Sequence, residues 1–290
     1  MDGTLLLQLT INGVLLGGVY TLAAFGLSLI FGVSGVLNLA HGEFLMLSGF
    51  LVFLVSDRLG INPFVAVALV SPLFFAVGYA FERLLIRPLA LRKEHVRLAS
   101  ATLVTLGAAL ILEDGAAFFS LGTEFEKSVG YFLPTLRLGP LVLPSLKLVV
   151  FGLVALLIAG LAAFLKYTYV GLAVQAVTQS PRGALLNGVP TARIGAVAFG
   201  IGTFLAAAAG GLEVIHSYVS PLIGLPLTLK YLCIIVMGGL GSFVGVALGG
   251  ILIGLGESFV GFLNPAWGQT VAYLLLVLVL LTRPTGLLGK

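Results

Sequence analysis

Asn38, His41 and Glu43 lie near the end of a long apolar stretch, Gly17 to Met46, in which no charged residue precedes Glu43. Polar side chains set so deep in an apolar run must be buried in protein or line a wet cavity, because hydrocarbon cannot satisfy them. Two kinds of chemistry are open to them. An imidazole titrates near neutral pH, so His41 paired with Glu43 could pass protons. Alternatively the three residues fix a break between two helices, Asn38 acting as N-cap of the second. One histidine and one carboxylate are too few for a metal site.

Other acids recur in apolar surroundings. Glu113 and Asp114 interrupt one apolar run. Glu213 and His216 fall close together on one helical face near the end of another, and Glu257 follows a glycine-rich segment. Each could line a pathway, but hydrogen bonding between helices is the preferred role. The histidines are scattered at positions 41, 95 and 216, and serines such as Ser28 and Ser48 lack a histidine and carboxylate to pair with. A hydrolytic enzyme is therefore not indicated.

The elements that position these residues are membrane helices. The chain of 290 residues is 59% hydrophobic and 9% charged, with a mean hydropathy of +1.18. A soluble domain carries about 25% charged residues, and a membrane helix needs about 20 apolar ones. Apolar runs fall at about 5–31, 36–56, 63–86, 99–120, 146–165, 191–217, 229–260 and 268–282. The expected fold is an all-α integral membrane protein, a polytopic bundle of about eight membrane segments forming one transmembrane domain over 1–290. The run 229–260, broken at Gly238-Gly239 and Gly241, is too short for two full antiparallel crossings and is expected to be a broken or re-entrant pair.

Charge sets the orientation. Arg83, Arg87, Arg92, Lys93 and Arg97 are placed in the cytoplasm by the positive-inside rule, with Pro88 marking a helix end. The segment from Lys166 to Arg193 and the C-terminus then share that side. Five basic residues, Arg58, Lys127, Arg137, Lys147 and Lys230, fall outside. The net charge of +4 reflects this topology and not nucleic-acid binding. Met1-Asp2-Gly3 lacks the basic start of a cleavable signal peptide, and Cys233 reads as a buried apolar residue. Glycines at 13 and 17, at 241, 245 and 249, and at 250 and 254 should line helix faces that pack closely.

The wording of the chain adds a resemblance. GVYTLAAFGLSLIFGV followed by VLNLAHGEF, then TLVTLGAALIL, IGAVAFGIGTFLAAAAGGL and YVSPLIGLPLTLKYLCIIVMGGLGSFVGVALGG, resembles the permease subunits of branched-chain amino-acid ABC importers along nearly its whole length. In such importers a cytoplasmic coupling helix docks on the ATPase. The matching segment here is about 167–190, with a short amphipathic stretch (Leu172, Val174, Val177), a turn at Ser180-Pro181, and a helical piece stopped by Gly188 and Pro190. The resemblance assigns ATPase coupling to Arg182, Ala184, Leu185, Leu186 and Gly188. Gly183 stands where the family has a glutamate, so no coupling carboxylate is assigned.

The resemblance further implies a second related permease, two cytoplasmic ATPases and a periplasmic or lipid-anchored binding protein, in the bacterial inner membrane. The chain itself needs no cofactor. No Gly-rich phosphate loop ending in Gly-Lys-Ser/Thr occurs, so ATP would be used by partners. An ABC permease has no need of a proton relay, which favours the structural reading of His41. The expected substrate is leucine, isoleucine or valine. Urea, short amides or other amino acids are the alternatives within the family, and an ATP-independent secondary transporter or channel using His41, Glu43, Glu113 and Glu213 is the alternative outside it.

Overall fold

The computed structural model describes residues 3–91, 93–119, 126–139 and 141–289. Arg92 and Lys290, part of the charge pattern above, lie outside them. The chain opens with α1 (Gly3–Ser34), α2 (His41–Leu59), α3 (Pro63–Phe81) and α4 (Glu94–Phe119). A small antiparallel hairpin, β1 (Leu136–Leu138) with β2 (Leu141–Leu143), precedes α5 (Ser145–Tyr167). Two short helices, α6 (Tyr169–Gln179) and α7 (Pro181–Leu186), lead into α8 (Thr191–His216). The chain closes with α9 (Gly224–Gly238), α10 (Phe243–Leu263), α11 (Pro265–Gly268) and α12 (Val271–Thr282). It is an all-α polytopic membrane protein, with 7 helices among the described residues long and apolar enough to cross a bilayer. The 19-residue α2 carries Glu43, Asp57 and Arg58, and the shorter α12 is apolar.

Composition alone does not decide which helices are central, since all are apolar. Packing does. In their most apolar windows α1 and α8 are 83% and 78% buried, whereas α4 and α5 are 17% and 22% buried, so the latter two present most of their surface outward. Around α1 and α8 pack α2, α3 and α10.

Glycine makes the central contacts possible. A Cβ on Gly17 would sit 2.7 Å from the Gly250 carbonyl, and one on Gly254 would sit 2.5 Å from the Gly17 Cα, so α1 and α10 touch backbone to backbone at the two expected glycine pairs. The expected row at 241, 245 and 249 is only partly helical. Gly241 stands in the α9–α10 turn with φ 84°, where a left-handed backbone favours glycine, while Gly245 and Gly249 face α9.

The bounds of the last long apolar run and the place of Lys230 differ from the sequence expectation. The segment read as 229–260 belongs to a longer one: Pro221–Gly238 and Phe243–Leu263 are each long and apolar enough to cross by themselves. The sequence reading starts this run at 229, whereas Pro221 opens a 3-10 turn that runs into α9 at Gly224. For the same reason Lys230, read as an outer-loop cation, is instead a buried residue of α9.

The two ends of the bundle differ in charge. Gly32 of α1 approaches Thr178 of α6, Gly35 approaches Arg97, and the chain after α12 is tied to α9 by Leu287 N–H donating to the Met237 carbonyl at 2.8 Å. The end that carries α6 and α7 therefore also carries Arg83, Arg87, Lys93, Arg97, Lys166, Arg182, Arg193 and Arg283. At the opposite end lie the hairpin and a bridge between Lys127 and Val219.

Candidate functional site

The break between α1 and α2 returns the chain into the bundle. After Ser34 it runs extended back to the level of the middle of α1, where His41 Nε2 donates to the Ala23 carbonyl at 3.0 Å. Its exposed backbone groups are met by two threonines from other helices. Thr105 Oγ1 of α4 accepts from Leu39 N–H at 3.2 Å, and Thr228 Oγ1 of α9 accepts from Gly42 N–H at 2.7 Å. A non-helical segment at this depth survives only where protein supplies such partners.

Asn38 contributes differently from the expectation. Its Oδ1 accepts from Ala40 N–H at 3.2 Å in a local turn, and Ala40 itself occupies the N-cap position of α2. The cap reading failed because Asn38 lies two residues upstream of the cap position and folds back before the helix begins. His41 and Glu43 are both fully buried yet do not pair: His41 Nδ1 and both Glu43 oxygens have no hydrogen-bond partner among the described residues. The His41 ring instead stands edge-on to Tyr231 at 6.3 Å.

A second polar cluster joins α1, α9 and α10. Lys230 Nζ lies 2.8 Å from Glu257 Oε1, with both side chains about nine-tenths buried. The Tyr20 hydroxyl donates to Glu257 Oε2 at 2.6 Å and accepts from Lys230 Nζ at 3.2 Å. Lys230 also sits 4.5 Å from the centre of the Tyr20 ring. The sequence reading places Lys230 outside and so does not pair it. The readable signal is a lone cation and a lone carboxylate, Lys230 and Glu257, within the apolar run 229–260, which must find each other.

The remaining acids are dispersed. Glu213 is half-buried on α8, close enough for its charge to act on Tyr20 and Tyr231. His216 does not join it: its Nδ1 contacts the Leu212 carbonyl at 3.0 Å, and the ring lies near Leu15 and Lys147. Glu113 is half-buried on α4, while Asp114 is exposed. No cluster that could hold a metal occurs among the described residues.

The segment between α5 and α8 forms a compact knob. Ser180 caps α7 by accepting from Gly183 N–H at 3.1 Å, and Gly188, with φ 79°, ends it. Ala184 is buried against the body, whereas Leu185 and Leu186 are 61% and 88% exposed and Arg182 is exposed. On α6 the buried face is Ala173, Val174 and Val177. Leu172, expected on that face, points outward, because positions 172 and 174 are about 200° apart on a helix. A cleft of about 380 Å³, lined by Phe25, Leu29, Leu165, Val174, Gln175 and Phe243 among others, separates α6 from α1 and α10.

Comparison with known proteins places this geometry. Residues 9–280 match the family described as branched-chain amino acid transport system / permease component. The chain is 32% identical over 304 aligned positions to the high-affinity branched-chain amino acid transport system permease protein LivH of Escherichia coli K12, covering 98% of this chain and 96% of that one. It is 31% identical over 302 positions to the permease protein BraD of Pseudomonas aeruginosa PAO1, with the same coverage. Among solved structures, PsaBC from Streptococcus pneumoniae in complex with Fab aligns with a TM-score of 0.51 over 95% of this chain and 92% of that one, at 12% identity, a likeness of fold. LivH and BraD are transport permeases and not enzymes, and the chain belongs to the family of permease components of branched-chain amino acid transport systems.

Proposed function

We propose that this chain is one permease of an ABC importer that moves leucine, isoleucine or valine across the bacterial inner membrane by ATP-driven alternating access. Residues 1–290 would act as one permease domain beside a second related permease, with two cytoplasmic ATPases below and a periplasmic or lipid-anchored binding protein above. The observation that carries the reading is the match to LivH over 98% of the chain, together with the exposed α7 knob where a coupling helix belongs. The gathering of basic residues at the α7 end supports placing that end in the cytoplasm. Around the knob, Tyr167, Tyr169, Leu172, Leu185 and Leu186 are all exposed, an apolar patch of the kind that fits a groove on a partner. The cleft beside α6 leaves room for it to shift against α1 when the partner moves.

In this reading tight substrate capture belongs to the binding protein, and the permease opens and closes a path. The decisive experiment is uptake of labelled leucine into proteoliposomes that hold the permeases, ATPases and binding protein. Accumulation is expected only with ATP on the ATPase side and is competed by isoleucine and valine but not by urea or acetamide. Accumulation by the permeases alone, driven by an ion gradient, would establish the secondary transporter.

His41 serves the architecture. It holds the start of α2 to the Ala23 carbonyl, so His41→Asn, which keeps a donor and removes the titrating ring, is expected to retain most uptake and the wild-type pH profile. Loss of uptake in a fully assembled variant would restore the proton-relay reading.

A further inference from the structure

Around the α1–α2 break Asn38 and His41 each hold a side-chain hydrogen bond and leave one buried atom, Nδ2 and Nδ1, without a partner among the described residues, whereas the Glu43 carboxylate holds none. Asn38 Oδ1, His41 Nε2, Thr105 and Thr228 are all hydrogen bonded, yet both oxygens of the fully buried Glu43 carboxylate have no partner among the described residues. Leaving a carboxylate buried and unpaired is costly. The nearest candidate cation inside the bundle, Lys230, is committed to Glu257 and Tyr20. On α9 the carboxylate lies against Gly224, where any Cβ would overlap it. The carboxyl thus lies without a partner at the seam where α2 and α9 begin, with Gly42 set against the Gly224 carbonyl.

That seam leads toward the hairpin end of α4, where Glu113 is half-buried and Asp114 exposed. Resting on the transport function proposed above, we propose that Glu43 receives the α-ammonium of the transported amino acid when α2 and α9 separate. A primary ammonium brings one positive charge and three donors, which suits a carboxylate with both oxygens unused. The apolar side chain of the substrate meets no penalty in the surrounding helices.

Two measurements on the complete transporter test this. During ATP turnover, labelling of Glu43 by diisopropylcarbodiimide, read by mass spectrometry, is expected to slow severalfold with leucine and not with 2-hydroxy-4-methylpentanoate, which replaces the ammonium with a hydroxyl. Equal protection by both, protection by sodium or potassium alone, or a Glu43 that never reacts would each overturn the proposal. Glu43→Gln, assembled at the wild-type level, is expected to lower leucine uptake at least about tenfold, the size of a lost charge-assisted contact. Unchanged uptake in that variant overturns this inference alone, whereas a wild-type transporter that moves urea or an amide and no leucine overturns the underlying reading. Should Glu43→Gln fail to assemble, the protection measurement on the wild type decides.

Discussion

Lys230→Met is expected to destabilise the permease by about 3–5 kcal/mol, the usual cost of stranding one member of a buried ion pair. The lysine is 8% exposed, and its ammonium contacts both Glu257 and the Tyr20 hydroxyl. Methionine preserves the length and apolar character of the stem but leaves Glu257 as an uncompensated charge between α1, α9 and α10. Heating the purified protein in detergent and following the monodisperse fraction reads the loss, as does the amount held in the membrane. Adding Glu257→Gln to the same chain should recover a large share, because a neutral amide can still hydrogen bond the Tyr20 hydroxyl. The double variant therefore lies well above the sum of the two single losses, the signature of a coupled pair. Additive losses, or a single variant as stable as the wild type, would show that the three helices do not depend on this cluster.

The same residue marks where sequence reading met its limit. Lys230 falls on the outer side in the sequence reading because the apolar run there is taken to start at 229, after Pro221 and Pro226, and because loop cations are what orientation rules look for. Proline is at home in the first turn of a helix, and α9 begins right there. The contact that decides the role of Lys230 comes from Glu257, on a different helix, and no local pattern encodes that distance. Where the signal was local, the reading held. Glycine pairs at 13 and 17 and at 250 and 254 do form the α1–α10 contact, and Ser180 and Gly188 do bound a short helix. Asn38, His41 and Glu43 are buried at a break as the sequence reading expects, yet the atoms that meet the break come from Ala23 for His41, Ala40 for Asn38, and Thr105 and Thr228 for the Leu39 and Gly42 backbone, three of these four remote in sequence from the motif. Spacing can announce that a break must be satisfied, while the fold alone determines which atoms do it.

Leu186→Asp should have the largest effect on transport. Leu186 is 88% exposed, so the substitution removes no contact inside the permease and should leave its insertion and folding intact. Its neighbours are arranged to hold it outward: Ser180 caps the start of α7, Ala184 anchors the inner face, and Gly188 turns the chain away. An exposed leucine on so firmly held a helix is an expense unless a partner covers it. Burying one leucine contributes about 1.5–3 kcal/mol, and an aspartate in the same groove adds the cost of desolvating a charge. Each 1.4 kcal/mol is about a factor of ten in an equilibrium, so ATPase association should weaken by well over tenfold. The variant is therefore expected at normal levels in the membrane, with ATPase co-purification lost or with hydrolysis no longer driving uptake. Leu172→Asp, outside α7 but on the same patch, should show a smaller loss, because a contact at the edge remains partly hydrated. Normal assembly and coupled uptake in Leu186→Asp would remove α7 from the mechanism and direct attention to the basic connection between α3 and α4, at the same end of the bundle, as the surface that receives the ATPase.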